Sequence, residues 1–210
     1  MAAHHSKRKT RDPQQRRSID KKEKILRAAY AVFCAKGFYR STTTEIARKA
    51  GVSIGALYSY FKDKEDLFMV ILERYMEQFE AARDRMLQAS GDKDPPLPDI
   101  ARSILTALII EHEASKELNR EIGRLSYEYP EVAARMEHQQ NGVRQSIADY
   151  LRAHRKALRV DDIEAATMVV WQLIDGLVHH IVFGAAATEK DRLVEAGVDA
   201  LSSYLIKAAR

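Results

Sequence analysis

Apolar residues recur at three- and four-residue spacings through most of the chain. Ile25, Ala28, Ala29, Val32 and Phe33 share one face of a helix, as a 3.6-residue period requires. Asp20 stands where an N-cap belongs and Gly37 where a helix stops. Thr42 with Glu45 has the spacing of a capping box. It opens a short second helix through Ile46, Ala47 and Ala50, ended by Gly51. Val52 sits in the turn, and Ser53 caps a third short helix carrying Leu57, Tyr58 and Phe61. Asp63, with Asp66 three residues on, opens a longer fourth helix. Its face of Leu67, Phe68, Ile71, Leu72, Tyr75, Met76 and Phe79 predicts a run to about residue 90.

The stretch 91–98 holds three of the five prolines and is the one clear loop. Helices are then expected over about 99–112 and 115–128, and from Pro130 to about 153. A strongly apolar helix starts at Asp161 or Asp162, passes through Ile163, Val170, Trp171, Ile174, Leu177, Val178 and Ile181, and stops at Gly184. The last begins near Thr188 and carries Leu193, Val194, Val198, Leu201 and Leu205. No segment sustains period-two alternation, and 5 Pro and 9 Gly in 210 residues suit long helices better than a turn-rich sheet. The fold class expected is all-α.

Charge divides the chain. Residues 1–64 carry 16 Lys and Arg against 5 Asp and Glu, a net +11; the remainder carries 18 against 25, a net −7. One end is built to meet a polyanion, with nucleic acid favoured over a membrane surface. Residues 1–19 are polar and basic with no apolar period and read as a disordered arm, either touching DNA or merely solubilising. The single Cys34 precludes an intrachain disulfide and lies among Phe and Ala, where a cysteine serves as a small buried hydrophobe. With no uninterrupted apolar run of about 18 residues and no apolar stretch after the basic N-terminus, a cytoplasmic protein without a membrane partner is expected.

Two short helices joined by a tight glycine turn within a basic segment form a helix-turn-helix pattern. The second helix must offer small or polar groups to the major groove and an apolar face to its own unit. Ser53, Ile54, Gly55 and Ala56 open it, and Leu57 and Phe61 anchor it. The runs Ile46-Ala47-Arg48-Lys49-Ala50-Gly51-Val52-Ser53 and Gly55-Ala56-Leu57-Tyr58-Ser59-Tyr60-Phe61-Lys62-Asp63-Lys64-Glu65-Asp66-Leu67 resemble the TetR family DNA-binding domain. Ile25-Leu26-Arg27-Ala28-Ala29 and Thr42-Thr43-Thr44 fit the same pattern, which covers about residues 20–72.

The resemblance implies a three-helix helix-turn-helix domain over 20–66 and a helical ligand-binding and dimerisation bundle over 67–210. It further implies a homodimer, joined through the last two helices, on a palindromic operator in double-stranded DNA. By position, Thr43 and Thr44 contact phosphate or bases, Ser53, Ile54 and Gly55 face bases, and Tyr58, Tyr60 and Lys64 contact the backbone. The third helix lacks Arg, Asn and Gln, so bidentate reading of guanine or adenine is not available from it. Thr44, Ser53, thymine-methyl contacts, DNA shape, and Arg40 or Arg48 are left to supply specificity.

The region after residue 75 has no nucleophile–base pair and no phosphate loop, so no enzymatic activity and no cofactor are expected. His179 and His180 are adjacent and point about 100° apart on a helix, a poor metal pair; no metal site is expected. Met76, Phe79, Tyr127, Trp171 and Asp175 are the candidate residues for a small, largely apolar effector. Asp175 could orient a cationic group or hydrogen-bond within the bundle. The alternative is a constitutive DNA-binding protein whose larger domain only dimerises.

Overall fold

The computed structural model describes residues 13–89, 95–184 and 189–207, with only the backbone of 13–15 and 82–89. Most of the basic arm, loop residues 90–94 and the expected helix start at Thr188 lie outside the described residues. Within them the chain forms α1 (Pro13–Lys36), α2 (Thr43–Ala50), α3 (Ile54–Tyr58), α4 (Lys64–Ala89), α5 (Leu97–Ala114), α6 (Lys116–Leu125), α7 (Pro130–Ala153), α8 (Ile163–Phe183) and α9 (Lys190–Leu205), with a short 3-10 turn at Arg155–Ala157. The chain divides into two units, Met1–Glu73 and Arg74–Arg210. The boundary falls inside α4, a few residues beyond the expected 66/67.

Local chemistry sets most helix ends. Thr42 Oγ1 accepts from the Glu45 amide at 3.2 Å, Ser53 Oγ from Ala56 at 3.1 Å and Asp162 Oδ1 from Ala165 at 3.0 Å. Such a cap stabilises its helix by about 1 kcal/mol. Glu45 does not complete the box; its carboxylate pairs with Lys36 at 2.6 Å and ties α2 to the end of α1. At α4, Asp63 Oδ1 accepts from the Asp66 amide at 2.8 Å while Asp66 Oδ2 accepts from Lys62 at 3.0 Å. Gly37 (φ 81°) and Gly51 (φ 68°) stop α1 and α2 in the left-handed region that glycine tolerates.

α1 begins at Pro13, seven residues ahead of the expected Asp20. Proline suits a first helical turn, and Ser18 Oγ lies 3.0 Å from the Tyr60 hydroxyl, which gives the added turns an anchor. Residues 13–19 are therefore helix rather than disordered arm. α6 ends at Leu125, short of the expected 128, because the chain turns over Ser126–Tyr129 into the proline that opens α7.

The core of the first unit is aromatic. Phe33, Phe38 and Phe68 meet with ring centroids 5.5–5.8 Å apart, over buried Ile25, Ala29, Ile46 and Leu57. Tilted and edge-on contacts at this distance add to simple burial.

In the second unit, α5, α7, α8 and α9 enclose an aliphatic core of Leu105, Ile109, Leu151, Val170, Ile174, Val178, Val198, Leu201 and Leu205. This corrects one expectation. The stripe from Ile163 to Ile181, with Val194, Val198, Leu201 and Leu205, is buried inside its own chain rather than held for a symmetry mate. By length and composition α8 would suffice to cross a membrane, yet eight of its residues are buried, as in a bundle's core helix. Gly197 is also used within the chain: a Cβ there would stand 2.5 Å from Leu177 Cδ1 and 3.3 Å from Leu105 Cδ1. Its absence lets α9 approach closely. Ala165, Met168, Val169 and Gly176 remain exposed on α8, as do Ala196 and Ala200 on α9.

Candidate nucleic-acid interface and effector site

The turn between α2 and α3 is closed by backbone bonds from Gly51 to Arg48 (3.2 Å) and from Val52 to Ala47 (3.0 Å). Buried Leu57 and Phe61 then hold α3 from beneath. A five-residue helix is too short to be stable alone, so these two anchors and the Ser53 cap fix the direction of its outer face. That face is open: Ser53, Ile54, Gly55 and Tyr58 are exposed. A Cβ built on Gly55 meets no atom within 4 Å.

Thr44 is exposed beside this face and Thr43 is half-buried. The Thr43 hydroxyl and the Tyr58 hydroxyl lie 3.0 Å apart, joining the entry of α2 to the end of α3. Tyr58 is 52% exposed, so its ring does not serve the core. Tyr60 is half-buried, with its hydroxyl at Ser18. These six residues and Ile54 occupy one continuous run from the start of α2 through α3.

Lys64 is placed differently from the expectation. Its ammonium donates to the carbonyls of Phe38 (2.9 Å) and Ser41 (3.3 Å) and sits 4.2 Å from the Phe38 ring centroid. Two donors and the cation–π face are thus engaged in bracing the loop that enters α2. Arg40 donates from Nε to the Lys36 carbonyl at 3.1 Å, at the end of α1. Arg48 is exposed on α2.

The candidate effector residues of the second unit fall into two groups. Met76 and Phe79 are buried, and Trp171 and Asp175 are half-buried on α8. Tyr127 stands 92% exposed in the turn between α6 and α7 and does not join the other four.

A run of rings, which the sequence reading did not assemble, links α4, α5 and α8. Tyr75 meets Phe79 (5.0 Å), Phe79 meets His112 (5.2 Å), His112 meets His179 (5.6 Å) and His179 meets Phe183 (5.5 Å). The Tyr75 hydroxyl donates to Asn119 Oδ1 at 2.7 Å. Asp175 Oδ1 lies 3.3 Å from His179 Nδ1, so this carboxylate serves the imidazole rather than standing ready for a cationic ligand. The two histidines diverge: burial holds His112 below the usual imidazole range, while the hydrogen bond from Asp175 holds His179 above it. No group of three or more His, Cys, Asp or Glu side chains with metal-binding geometry occurs among the described residues.

Comparison with known proteins matches both units. The HTH-type transcriptional repressor BepR of Brucella suis is 42% identical over 92 residues, which are 43% of this chain and 43% of BepR; the match thus spans less than half the length of that relative. A TetR-family regulator from Mesorhizobium loti superposes with a TM-score of 0.72 at 23% identity, over 91% of this chain and 99% of that one. SmeT, the repressor of the Stenotrophomonas maltophilia multidrug efflux pump SmeDEF, does so with a TM-score of 0.68 at 22% identity, over 90% and 94%; a SmeT–triclosan complex is also known. At these identities the superpositions establish the fold. The family assignment comes from the sequence: residues 25–71 match the model of bacterial regulatory proteins of the tetR family, and residues 96–205 match the tetracyclin repressor-like C-terminal domain. A helix-turn-helix unit on a capped, aromatic-cored base, followed by an α-helical unit of the matching type, places this chain in the tetR family of bacterial regulatory proteins.

Proposed function

We propose that the chain is a transcriptional repressor that binds a palindromic operator as a homodimer and is released by a small, largely apolar effector. The observation that carries the reading is the outer face of α3. Its first turn offers a hydroxyl, an exposed isoleucine and a glycine with open space above it, the surface a major groove accepts. Thr44, Ser53, Ile54 and Gly55 face bases; Thr43, Tyr58 and Tyr60 reach phosphates. Lys64 holds the loop that presents them. BepR and SmeT are repressors, which favours repression here.

Dimerisation through α8 and α9 uses the surface their core packing leaves exposed, with Ala165, Met168, Val169 and Gly176 at helical spacing. The effector packs against the apolar residues of α4, α5 and α8, Met76 and Phe79 among them. It need only favour the unbound arrangement by about 1–3 kcal/mol to lower operator affinity about 5–150-fold. No catalytic role is assigned to any residue, and the protein works in the cytoplasm.

Footprinting with the purified full chain tests this. Protection should be two-fold symmetric, with half-sites centred about 34–36 Å apart or at a multiple of that distance. Affinity should fall steeply with salt as counterions are released. An asymmetric footprint or a flat salt dependence overturns the reading.

A further inference from the structure

The pair His112 and His179 has a geometry that selects among effectors. His112 Nδ1 lies 2.8 Å from the carbonyl of Leu108, and His179 Nδ1 lies 2.9 Å from that of Asp175. A carbonyl only accepts, so each Nδ1 carries the proton. In a neutral ring the lone pair is then on Nε2. Neither Nε2 has a hydrogen-bond partner among the described residues. Because no buried side-chain polar atom there lacks a partner, the unpartnered Nε2 of half-buried His112 opens to accessible space. Two imidazole edges thus stand in contact, 5.6 Å between centroids, flanked by the rings of Phe79 and Phe183.

The two edges differ in what they offer. Asp175 Oδ1 backs His179 at 3.3 Å and stabilises its cation, so His179 presents Nε2–H as a donor. No side-chain carboxylate is paired with His112, whose neighbours are Phe79, His179 and the Leu108 carbonyl; it presents a lone pair. We infer that this pair recognises an aromatic hydroxyl: a phenol whose O–H donates to His112 Nε2 and whose oxygen accepts from His179 Nε2, with its ring among Phe79 and Phe183. A hydroxyl alone meets both demands with one atom. An ether cannot donate, and a carboxylate sets its charge against the His112 lone pair. The inference rests on the reading of the second unit as an effector site and names the class of ligand that site takes.

The probes are 4-tert-butylphenol, its methyl ether and 4-tert-butylbenzoate, titrated calorimetrically into the full-length protein at pH 7. The phenol should bind about tenfold more tightly than the ether, the magnitude of a lost hydrogen bond to a charged or half-buried partner. His112→Phe and His179→Gln should each bring phenol affinity to the level of the ether and leave the ether unchanged. The Nε2 nitrogen resonances of both histidines should move with the phenol and not with the ether. Equal binding of phenol and ether, tighter binding of the benzoate, absence of phenol binding at millimolar concentration, or unmoved Nε2 resonances would overturn the inference. The sensing reading fails separately: a phenol that binds as described but leaves operator affinity unchanged keeps the ligand class and removes its regulatory role.

Discussion

Replacing Gly55 with alanine separates what α3 needs for folding from what it needs for DNA. Gly55 is the second residue of α3 and has no left-handed φ to preserve. A Cβ built there meets no atom within 4 Å. Within the chain, therefore, the substitution removes only the entropic penalty of glycine in a helix, about 0.5–1 kcal/mol. For a unit of this size that raises the melting midpoint by roughly 2–8 °C. On DNA the sign reverses. The same open space is where the first turn abuts the groove, and an added methyl in a packed contact costs about 1–3 kcal/mol. The operator dissociation constant should then rise by about 5–150-fold. Fluorescence anisotropy with the footprinted operator duplex and a thermal melt of the free protein measure the two effects. If Gly55→Ala binds the operator as tightly as the parent, the first turn of α3 does not lie against DNA. A lowered midpoint would show that the space above Gly55 is not free.

Lys64→Met should weaken binding to all duplexes alike and lower the midpoint, since it removes bonds to Phe38 and Ser41 carbonyls; a change in base preference at unchanged stability would refute its bracing role. Val169→Arg, on an exposed face of α8, should give folded monomers by sedimentation, whereas Val198→Arg, 4% exposed in the core, should lose several kcal/mol of stability and fail to fold; a folded Val198→Arg monomer would contradict the packing of α9. His112 has its folded pKa lowered by burial, so it binds fewer protons folded than unfolded. Its contribution to stability is complete above the unfolded value of about 6.5 and is lost as pH falls below it. His112→Phe should flatten the acid side of the midpoint-versus-pH curve, and an unchanged acid slope would refute this. His179, raised by Asp175, contributes below about pH 6.5 and loses that contribution as pH rises through its folded value; His179→Gln should flatten that limb.

The helix-turn-helix was legible because its determinants are local. Thr42, Ser53 and Asp63 each act within four residues, and Gly37 and Gly51 mark the positive φ that ends α1 and α2. Leu57 and Phe61 at i and i+4 point to one side whatever surrounds them. The two ends of α1 show the limit of this. Its stop was visible at Gly37, whereas its start lies before Asp20, where no apolar period marks it and the Ser18–Tyr60 contact spans 42 residues.

The sequence alone determined an all-helical chain, its helix count within the described residues, and a basic unit with a groove-facing helix, because caps, periods and net charge are properties of neighbours along the chain. Only the tertiary structure decided which faces those helices spend on each other. Periodicity marks Val198 and Gly197 as apolar or small but cannot say whether Leu105 and Leu177 or a second chain lies opposite. Charge marks Lys64 as a cation but not that two carbonyls from the preceding loop claim its ammonium. The contact of His112 with His179, and the engagement of Asp175 by the latter, likewise depend on α5 packing against α8. Each is a pairing between residues distant in sequence, and the loop closures that bring such residues together are set by the packing of the whole unit rather than by any local pattern.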